Sequence, residues 1–183
     1  GSSAAINEAI EKAGLEKLDN HRELYRLTEP IDLQAEDSHV AAFPYDGFKI
    51  SCTSTDNKNR YTQFFSLELT PDSWQREIAC ARTFCFYEEI AHLFNNGLIK
   101  GGSLENAVVV RDDAVLTNEP LRYPNEFVRH KILDIIGDLA LVGRPLCAHI
   151  VATRPGHEAN CELARQIRSQ IQRPLQAAQT FAP

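Results

Sequence analysis

Alternating apolar and polar positions predict a β-hairpin in the first half of the chain. Phe48, Ile50 and Cys52 are separated by single polar residues, which is the period of two expected for a strand with one buried face. Residues 55–59 read Thr-Asp-Asn-Lys-Asn, a composition typical of turns, and the alternation resumes over residues 64–69. We therefore expect residues 47–69 to form an antiparallel hairpin.

Weaker patterns predict further helices and strands on both sides of the hairpin. An amphipathic helix over residues 4–13 is expected to stop at Gly14, because glycine readily adopts the backbone conformation that ends helices. The remaining expected elements are strands over residues 24–33, 40–43, 106–110, 115–116 and 146–152, and helices beginning at Pro71, over residues 87–95 and over residues 158–171. This mixed order, with a local hairpin, predicts an α+β layered sandwich and disfavours a doubly wound parallel sheet.

Residues 123–139 predict the helix around which the rest of the chain is organised. Apolar side chains cover most of its circumference, and His130, Asp134 and Asp138 follow one another at intervals of four, which places them on one stripe of the helix. Asn125 is expected to cap the helix start by accepting a hydrogen bond from a free backbone amide. Since buried imidazole and carboxylate groups need partners, the stripe indicates a metal site, a hydrogen-bond network, or both.

Composition and charge exclude some classes of function. The chain has 183 residues, 43% of them hydrophobic, and a formal net charge of −6 without a basic cluster, which argues against nucleic-acid binding. Apolar runs stay far below the roughly 20 residues of a membrane-spanning helix, so we expect no membrane span and a cytoplasmic location. The five cysteines are scattered without a C-x-x-C pair, and we expect them to be reduced thiols.

Taken by themselves, the polar residues leave several interpretations open. His130 and Asp134 are credible zinc ligands, but a hydrogen-bonded core histidine with Asp134 as its acceptor also fits the spacing. His157 follows a Pro-Gly pair at a loop-to-helix junction, where catalytic groups are often found; the alternative is an exposed histidine in the first turn of a helix. Thr83 is either a hydroxyl donor or a helix cap.

Four segments together resemble a known enzyme family. Residues 81–84 (ARTF), 101–110, 121–139 and 155–157 occur in the order and spacing of the UDP-3-O-acyl-N-acetylglucosamine deacetylases, the zinc amidases of lipid A synthesis. The resemblance runs from about Ile6 to Ile171 and so covers nearly the whole chain.

The resemblance implies a particular domain organisation. Family members have two similar α+β domains with the active site between them, and this chain resembles the second domain. Residues 1–14 would be the last helix of the first domain, and residues 15–172 the C-terminal catalytic domain, a two-layer helix/sheet sandwich with a βαβ insert at about residues 84–110. Residues 173–183 would be a tail or linker, which permits the fused hydroxyacyl dehydratase domain that some family members carry.

The resemblance also implies roles for individual residues. His130 and Asp134 match two zinc ligands, and Asp138 matches the carboxylate that orients the general acid, His157. Thr83 matches the threonine that binds the tetrahedral oxyanion, and Lys131 and Arg154 match basic residues near the diphosphate of the UDP-sugar. The apolar passage for the acyl chain would be lined by Phe86, Ile90, Leu93, Ile99, Gly102, Ala107 and Val109. Phe84 and Ser103 are further expected substrate-binding residues.

One part of the family pattern is absent from the sequence. The family's third zinc ligand and its general base come from a Glu-His pair in the first domain, and no Glu-His dipeptide occurs in this chain. We therefore expect the chain to be inactive by itself and to need that domain as a partner. Two other hypotheses are a non-catalytic module that binds an acyl chain or a protein on the same fold, and a domain whose polar stripe is only a buried structural network.

Overall fold

The computed structural model describes residues 2–58, 60–97, 103–112 and 114–172. Its helices are α1 (Ala4–Ala13), α2 (Pro71–Ser73, continued by a π-helical turn over Trp74–Ile78), α3 (Tyr87–Asn95), α4 (Glu126–Leu139, followed by a 3-10 turn over Ala140–Val142) and α5 (His157–Gln172). Its strands are β1 (Tyr25–Arg26), β2 (Ile31–Gln34), β3 (His39–Phe43), β4 (Phe48–Thr55), β5 (Thr62–Glu68), β6 (Thr83–Phe86), β7 (Ala107–Arg111), β8 (Ala114–Leu116) and β9 (Leu146–Thr153).

The main sheet has the strand order β2-β3-β9-β4-β5, with β1 beside β9. The predicted hairpin is confirmed, because β4 and β5 pair antiparallel with Ile50 opposite Leu67. Strand β9 lies between β3 and β4 and runs parallel to β4, with Ile150 opposite Ile50. The last predicted strand therefore becomes the centre of the sheet.

Helices α4 and α5 cover one face of this sheet. The alternate residues Ile50 and Cys52 of β4 and Ile150 of β9 are completely or almost completely buried, in one cluster with Ile132 and Ile135 of α4. The residues between them on the strands are half-buried or exposed. One helix layer on a mixed sheet is an α+β two-layer arrangement, as the sequence predicted.

A second, three-stranded sheet lies beside the start of α4. Strands β6 and β7 are parallel, with Thr83 opposite Ala107, and α3 connects them; β8 then pairs antiparallel with β7. This is the βαβ insert expected at residues 84–110. Phe84 lies against Phe127 of α4 with ring centroids 4.7 Å apart, so the insert is packed onto the helix that carries the polar stripe.

The single strand predicted over residues 24–33 is instead two short strands. Strand β1 pairs with β9 in parallel, whereas β2 pairs with β3 antiparallel. Pro30 lies between them and has no amide hydrogen to donate to a sheet. The chain therefore pairs with β9 before this proline and with β3 after it.

The predicted capping role of Asn125 is wrong. Asn125 stands at the N-cap position of α4 but makes no side-chain hydrogen bond to a backbone amide. Its side-chain oxygen accepts a hydrogen bond from Nε of Arg129 at 2.7 Å instead. A charged donor one turn away on the same helix thus outcompetes the amide.

Two other expectations concern cysteines and membranes. The free state expected for all five cysteines is confirmed. In the part of the chain that the structure describes, no helix is long and apolar enough to cross a membrane. The tail expected over residues 173–183 lies outside the described residues, and the division into domains stays a prediction.

Candidate active site

The buried imidazole of His130 is held in a defined orientation. His130 lies in the middle of α4 with 9% of its surface exposed. Its Nδ1 is 3.2 Å from the carbonyl oxygen of Ala81, and because a carbonyl can only accept, Nδ1 is the protonated nitrogen. The other nitrogen, Nε2, then has a free lone pair, and it lies 3.5 Å from Oδ1 of Asp134.

Burial also favours the uncharged form of this imidazole. Burial lowers the pKa of His130, and this effect outweighs the opposing influence of Asp134 and of the Ala81 carbonyl. A low pKa favours the neutral ring, which is the form that binds metals. Asp134 also accepts a hydrogen bond of 3.4 Å from Nζ of Lys131.

The donor set of His130 and Asp134 fits two ligands of a zinc ion. A neutral imidazole nitrogen and a carboxylate oxygen are typical zinc donors, and a metal-bound histidine commonly donates its other N–H to a backbone carbonyl. Among the residues with a described position, no group of three or more His, Cys, Asp or Glu side chains could hold a metal. The described residues therefore offer a pair of donors rather than a closed site.

A second polar pair lies one turn further along α4. Asp138 accepts a hydrogen bond from Nδ1 of His157, the first residue of α5, with distances of 2.9 Å to Oδ2 and 3.1 Å to Oδ1. The side-chain amide of Asn160 donates to the same Oδ2 at 2.9 Å. His157 is exposed and Asn160 is 1% exposed. A buried amide thus fixes the carboxylate, and the carboxylate fixes an accessible imidazole whose Nε2 has no hydrogen-bond partner among the described residues.

Thr83 lies close in sequence to the partner of His130. It is the first residue of β6 and is half-buried, two positions after Ala81, whose carbonyl holds the His130 ring. The hydroxyl group is therefore carried by the same short segment that orients the imidazole.

A polar cleft of about 890 Å³ contains both basic residues that the sequence linked to the diphosphate. Lys131 and Arg154 line it together with Phe84, Phe86 and Tyr61. Lys131 lies 5.6 Å above the ring of Phe84, and Arg154 pairs with the exposed Asp37 at 3.2 Å. The cleft also carries acidic side chains, among them Asp56, Glu88 and Glu158, so its cations lie in a wall of mixed charge.

A smaller, apolar cavity of about 290 Å³ lies within the insert. Three residues predicted for the acyl passage line it, Ile90, Ala107 and Val109, together with Ser103, which was predicted to bind substrate. Phe84 and Phe86 lie instead on the wall of the polar cleft. The remaining predicted positions, Ile99, Gly102 and the side chain of Leu93, lie outside the described residues.

Sequence reasoning missed three residues of this region. Asn160 was not singled out, although it is three residues after His157 on α5 and so lies on the same helix face. Arg82 and Glu126 were overlooked as well. Continuing the four-residue interval backwards from His130 would have found Glu126, whereas the contact of Glu126 with Arg82 spans 44 positions and no local pattern indicates it.

The fold and the two polar pairs together define an α+β domain in which α4 contributes a carboxylate to each of two imidazole–carboxylate pairs. The sequence profile of the LpxC family, UDP-3-O-acyl N-acetylglycosamine deacetylase, matches residues 1–169. The chain therefore belongs to this family, and the resemblance seen in the four segments is confirmed.

Individual relatives agree with the family assignment. Proteins named UDP-3-O-acyl-N-acetylglucosamine deacetylase are 45% identical in Chlamydia felis, 47% in Chlamydia abortus and 42% in Chlamydia trachomatis, each over 174 residues. The match covers 94% of this chain but 62% of the first two relatives and 61% of the third. The chain thus spans less than two thirds of the length of these relatives.

Proposed function

We propose that this chain is the C-terminal part of a zinc-dependent deacetylase of the cytoplasm. Its substrate would be UDP-3-O-acyl-N-acetylglucosamine, from which it removes the N-acetyl group in lipid A biosynthesis. The observation that carries this proposal is the His130 ring, whose Nδ1 is bonded to Ala81 and whose Nε2 lies 3.5 Å from Asp134. Membership of the deacetylase family gives that pair of donors a specific chemical use.

His130 and Asp134 would hold the zinc ion through Nε2 and a carboxylate oxygen. When bound, zinc polarises an amide carbonyl and lowers the pKa of a water molecule to about 7. The neutral state of His130, favoured by burial, keeps its lone pair available for this purpose.

The other polar residues would act directly on the amide. The Thr83 hydroxyl donates a hydrogen bond to the carbonyl oxygen as negative charge develops on it. His157, with a proton on each ring nitrogen, would donate the one on Nε2 to the departing nitrogen. Asp138, held by Asn160, accepts the hydrogen bond from Nδ1 and so directs Nε2 towards the substrate.

Substrate binding would use the two cavities. Lys131 and Arg154 in the polar cleft match the charge of a diphosphate, and the apolar cavity of the insert matches a hydrocarbon chain. Because the polar cleft and the apolar cavity share Cys85 in their walls, one ligand with a charged and an apolar end could occupy both.

The third zinc ligand and the general base would come from the part of the relatives that this chain does not span. The chain covers 62% of the first relatives, and the Glu-His pair of the family does not occur in it. A protein that contains this chain together with the remaining region, called the longer protein below, would therefore be needed for turnover.

The test is an assay of acetate release from UDP-3-O-acyl-N-acetylglucosamine by the longer protein. We expect turnover that is lost when zinc is chelated and returns when zinc is restored. A longer protein that binds the acylated sugar nucleotide but releases no acetate at any zinc concentration would contradict the proposal and favour a non-catalytic binding module.

A further inference from the structure

A completely buried ion pair joins the start of α4 to the segment before β6. Arg82 is 1% exposed and Glu126 is 0% exposed. Nε of Arg82 donates to Oε1 of Glu126 at 2.9 Å, and Nη2 donates to Oε2 at 3.1 Å. This is the two-point geometry in which guanidinium and carboxylate pair most specifically.

The carboxylate of Glu126 binds the backbone as well as the side chain. It accepts a hydrogen bond from the amide of Arg82 at 2.9 Å and one from the amide of Arg122 at 2.7 Å. Arg82 is held further by the hydroxyl of Thr117 and the carbonyl of Pro120, both at 3.0 Å. The main chain at Arg82 is therefore fixed relative to α4.

The two neighbours of Arg82 in the sequence, Ala81 and Thr83, lie at the proposed deacetylation site. The carbonyl of Ala81 orients the His130 ring, and Thr83 follows Arg82 directly. Glu126 is four residues before His130, so both side chains rise from the same side of α4 and contact adjacent residues of one segment.

We propose that the Arg82–Glu126 pair is a positioning device for the deacetylation site. It sets the distance between α4 and residues 81–83, and through this distance it fixes the imidazole of His130 and the hydroxyl of Thr83 at the same time. Neither Arg82 nor Glu126 touches the substrate. This inference rests on the proposed function for its catalytic consequence, while its geometric claim concerns only this chain.

Shortening the carboxylate by one methylene tests this role. Glu126→Asp keeps the negative charge but moves the carboxylate that holds residues 81–83. A second variant, Arg82→Lys, keeps the positive charge but cannot form the two parallel hydrogen bonds to the carboxylate. In the longer protein we expect kcat to fall about 100-fold with KM changed less than about threefold. We also expect zinc affinity, measured by competition with a chelator, to fall about 10-fold or more.

A second measurement needs neither zinc nor substrate. Long-range proton–nitrogen NMR of the histidine rings in the metal-free 183-residue chain reports which nitrogen of His130 is protonated. We expect Nδ1 to carry the proton in the unchanged chain and Nε2 to carry part of it in both variants, because the Ala81 carbonyl is displaced. The outcome of this measurement does not depend on whether the protein is a deacetylase.

Glu77→Asp is the matched control. Glu77 pairs with Arg129 of α4 at 2.5 Å, and it makes no hydrogen bond to residues 81–83 in the described structure. We expect this control to leave kcat, zinc affinity and the His130 proton unchanged. The proposal is overturned if either variant folds by circular dichroism yet keeps the His130 proton on Nδ1, if the control shifts that proton equally, or if neither variant folds.

Discussion

The backbone carbonyl of Ala81 orients the His130 imidazole by accepting the hydrogen bond from Nδ1. This contact leaves Nε2 on the side of Asp134, and both interpretations that spacing left open, a zinc ligand and a hydrogen-bonded core histidine, stay predictions. The intervals of four among His130, Asp134 and Asp138 could be predicted from the sequence. The partner Ala81 could not, because it lies 49 positions away and only the tertiary fold brings it close. The pairing of Asp138 with His157, 19 positions away, was expected from the family resemblance and not from the spacing.

Replacing Asp134 with alanine should remove one of the two donors that this chain offers to zinc. We expect the longer protein with Asp134→Ala to retain no stoichiometric zinc after dialysis, because one lost ligand weakens a site that depends on few donors. Metal analysis by mass spectrometry measures the result. Stoichiometric zinc in this variant would remove Asp134 from the ligand set.

Replacing Asp138 with asparagine should separate proton transfer from metal binding. An amide in place of the carboxylate no longer favours the orientation of His157 that directs Nε2 towards the substrate, so we expect kcat to fall about 100-fold to 10,000-fold. Zinc content should stay at the level of the unchanged protein, which also makes this variant the control for Asp134→Ala. Loss of zinc in Asp138→Asn would instead assign Asp138 to the metal.

At the scale of elements, the periodic patterns predicted the buried hairpin and the long helix. They did not predict strand β6, whose position depends on the strand it pairs with. Ile50 and Cys52 alternate with polar neighbours, and β4 formed where expected. All four residues of β6 are half-buried, so this strand lacks the alternation that identifies a strand. The resemblance to the family, rather than periodicity, located it as part of the insert.

The apolar cavity of the insert gives a test of acyl-chain binding. Ile90 lines this cavity from α3, and Ile90→Trp should fill it. We expect KM for the acylated substrate to rise about 10-fold or more in the longer protein, with zinc content unchanged. Phe94→Trp is the control, since Phe94 is on the same helix but 70% exposed. Equal effects of the two substitutions would exclude the cavity as the acyl site.

The buried ion pair gives the molecule a predictable response to acid. Burial alone would raise the pKa of Glu126, but hydrogen bonds from Arg82 and from the Arg122 amide outweigh it and hold this pKa below its ordinary value of 4.5. Since the folded state has the lower pKa, the stabilisation is present above about pH 4.5 and is lost as the pH falls through the pKa of the folded state.

Urea unfolding of the chain and of Glu126→Gln measures this contribution. At about pH 7 we expect the variant to lose about 3 kcal/mol of unfolding free energy, because the charge of Arg82 is left without its partner. At about pH 3 the difference should become smaller, as the carboxyl of the unchanged chain takes up a proton. A difference that grows on acidification would contradict the assigned direction of the pKa shift.

For the whole molecule, we propose that the described residues carry part of an active site. Two candidate metal donors, an imidazole–carboxylate pair and two cavities are gathered on α4, α5 and the insert. The chain spans 62% of its first relatives, and we propose that the remaining region completes the metal shell and supplies the base. The fold class could be predicted from the order of elements, whereas the incomplete ligand set became visible only through the family resemblance.

The most direct test compares acetate release by the 183-residue chain with release by the longer protein, under the same zinc concentration and with UDP-3-O-acyl-N-acetylglucosamine as substrate. We predict turnover by the longer protein and none above background by the chain alone, because the chain lacks the third ligand and the general base. Robust acetate release by the chain alone, or none by the zinc-loaded longer protein, would contradict the account.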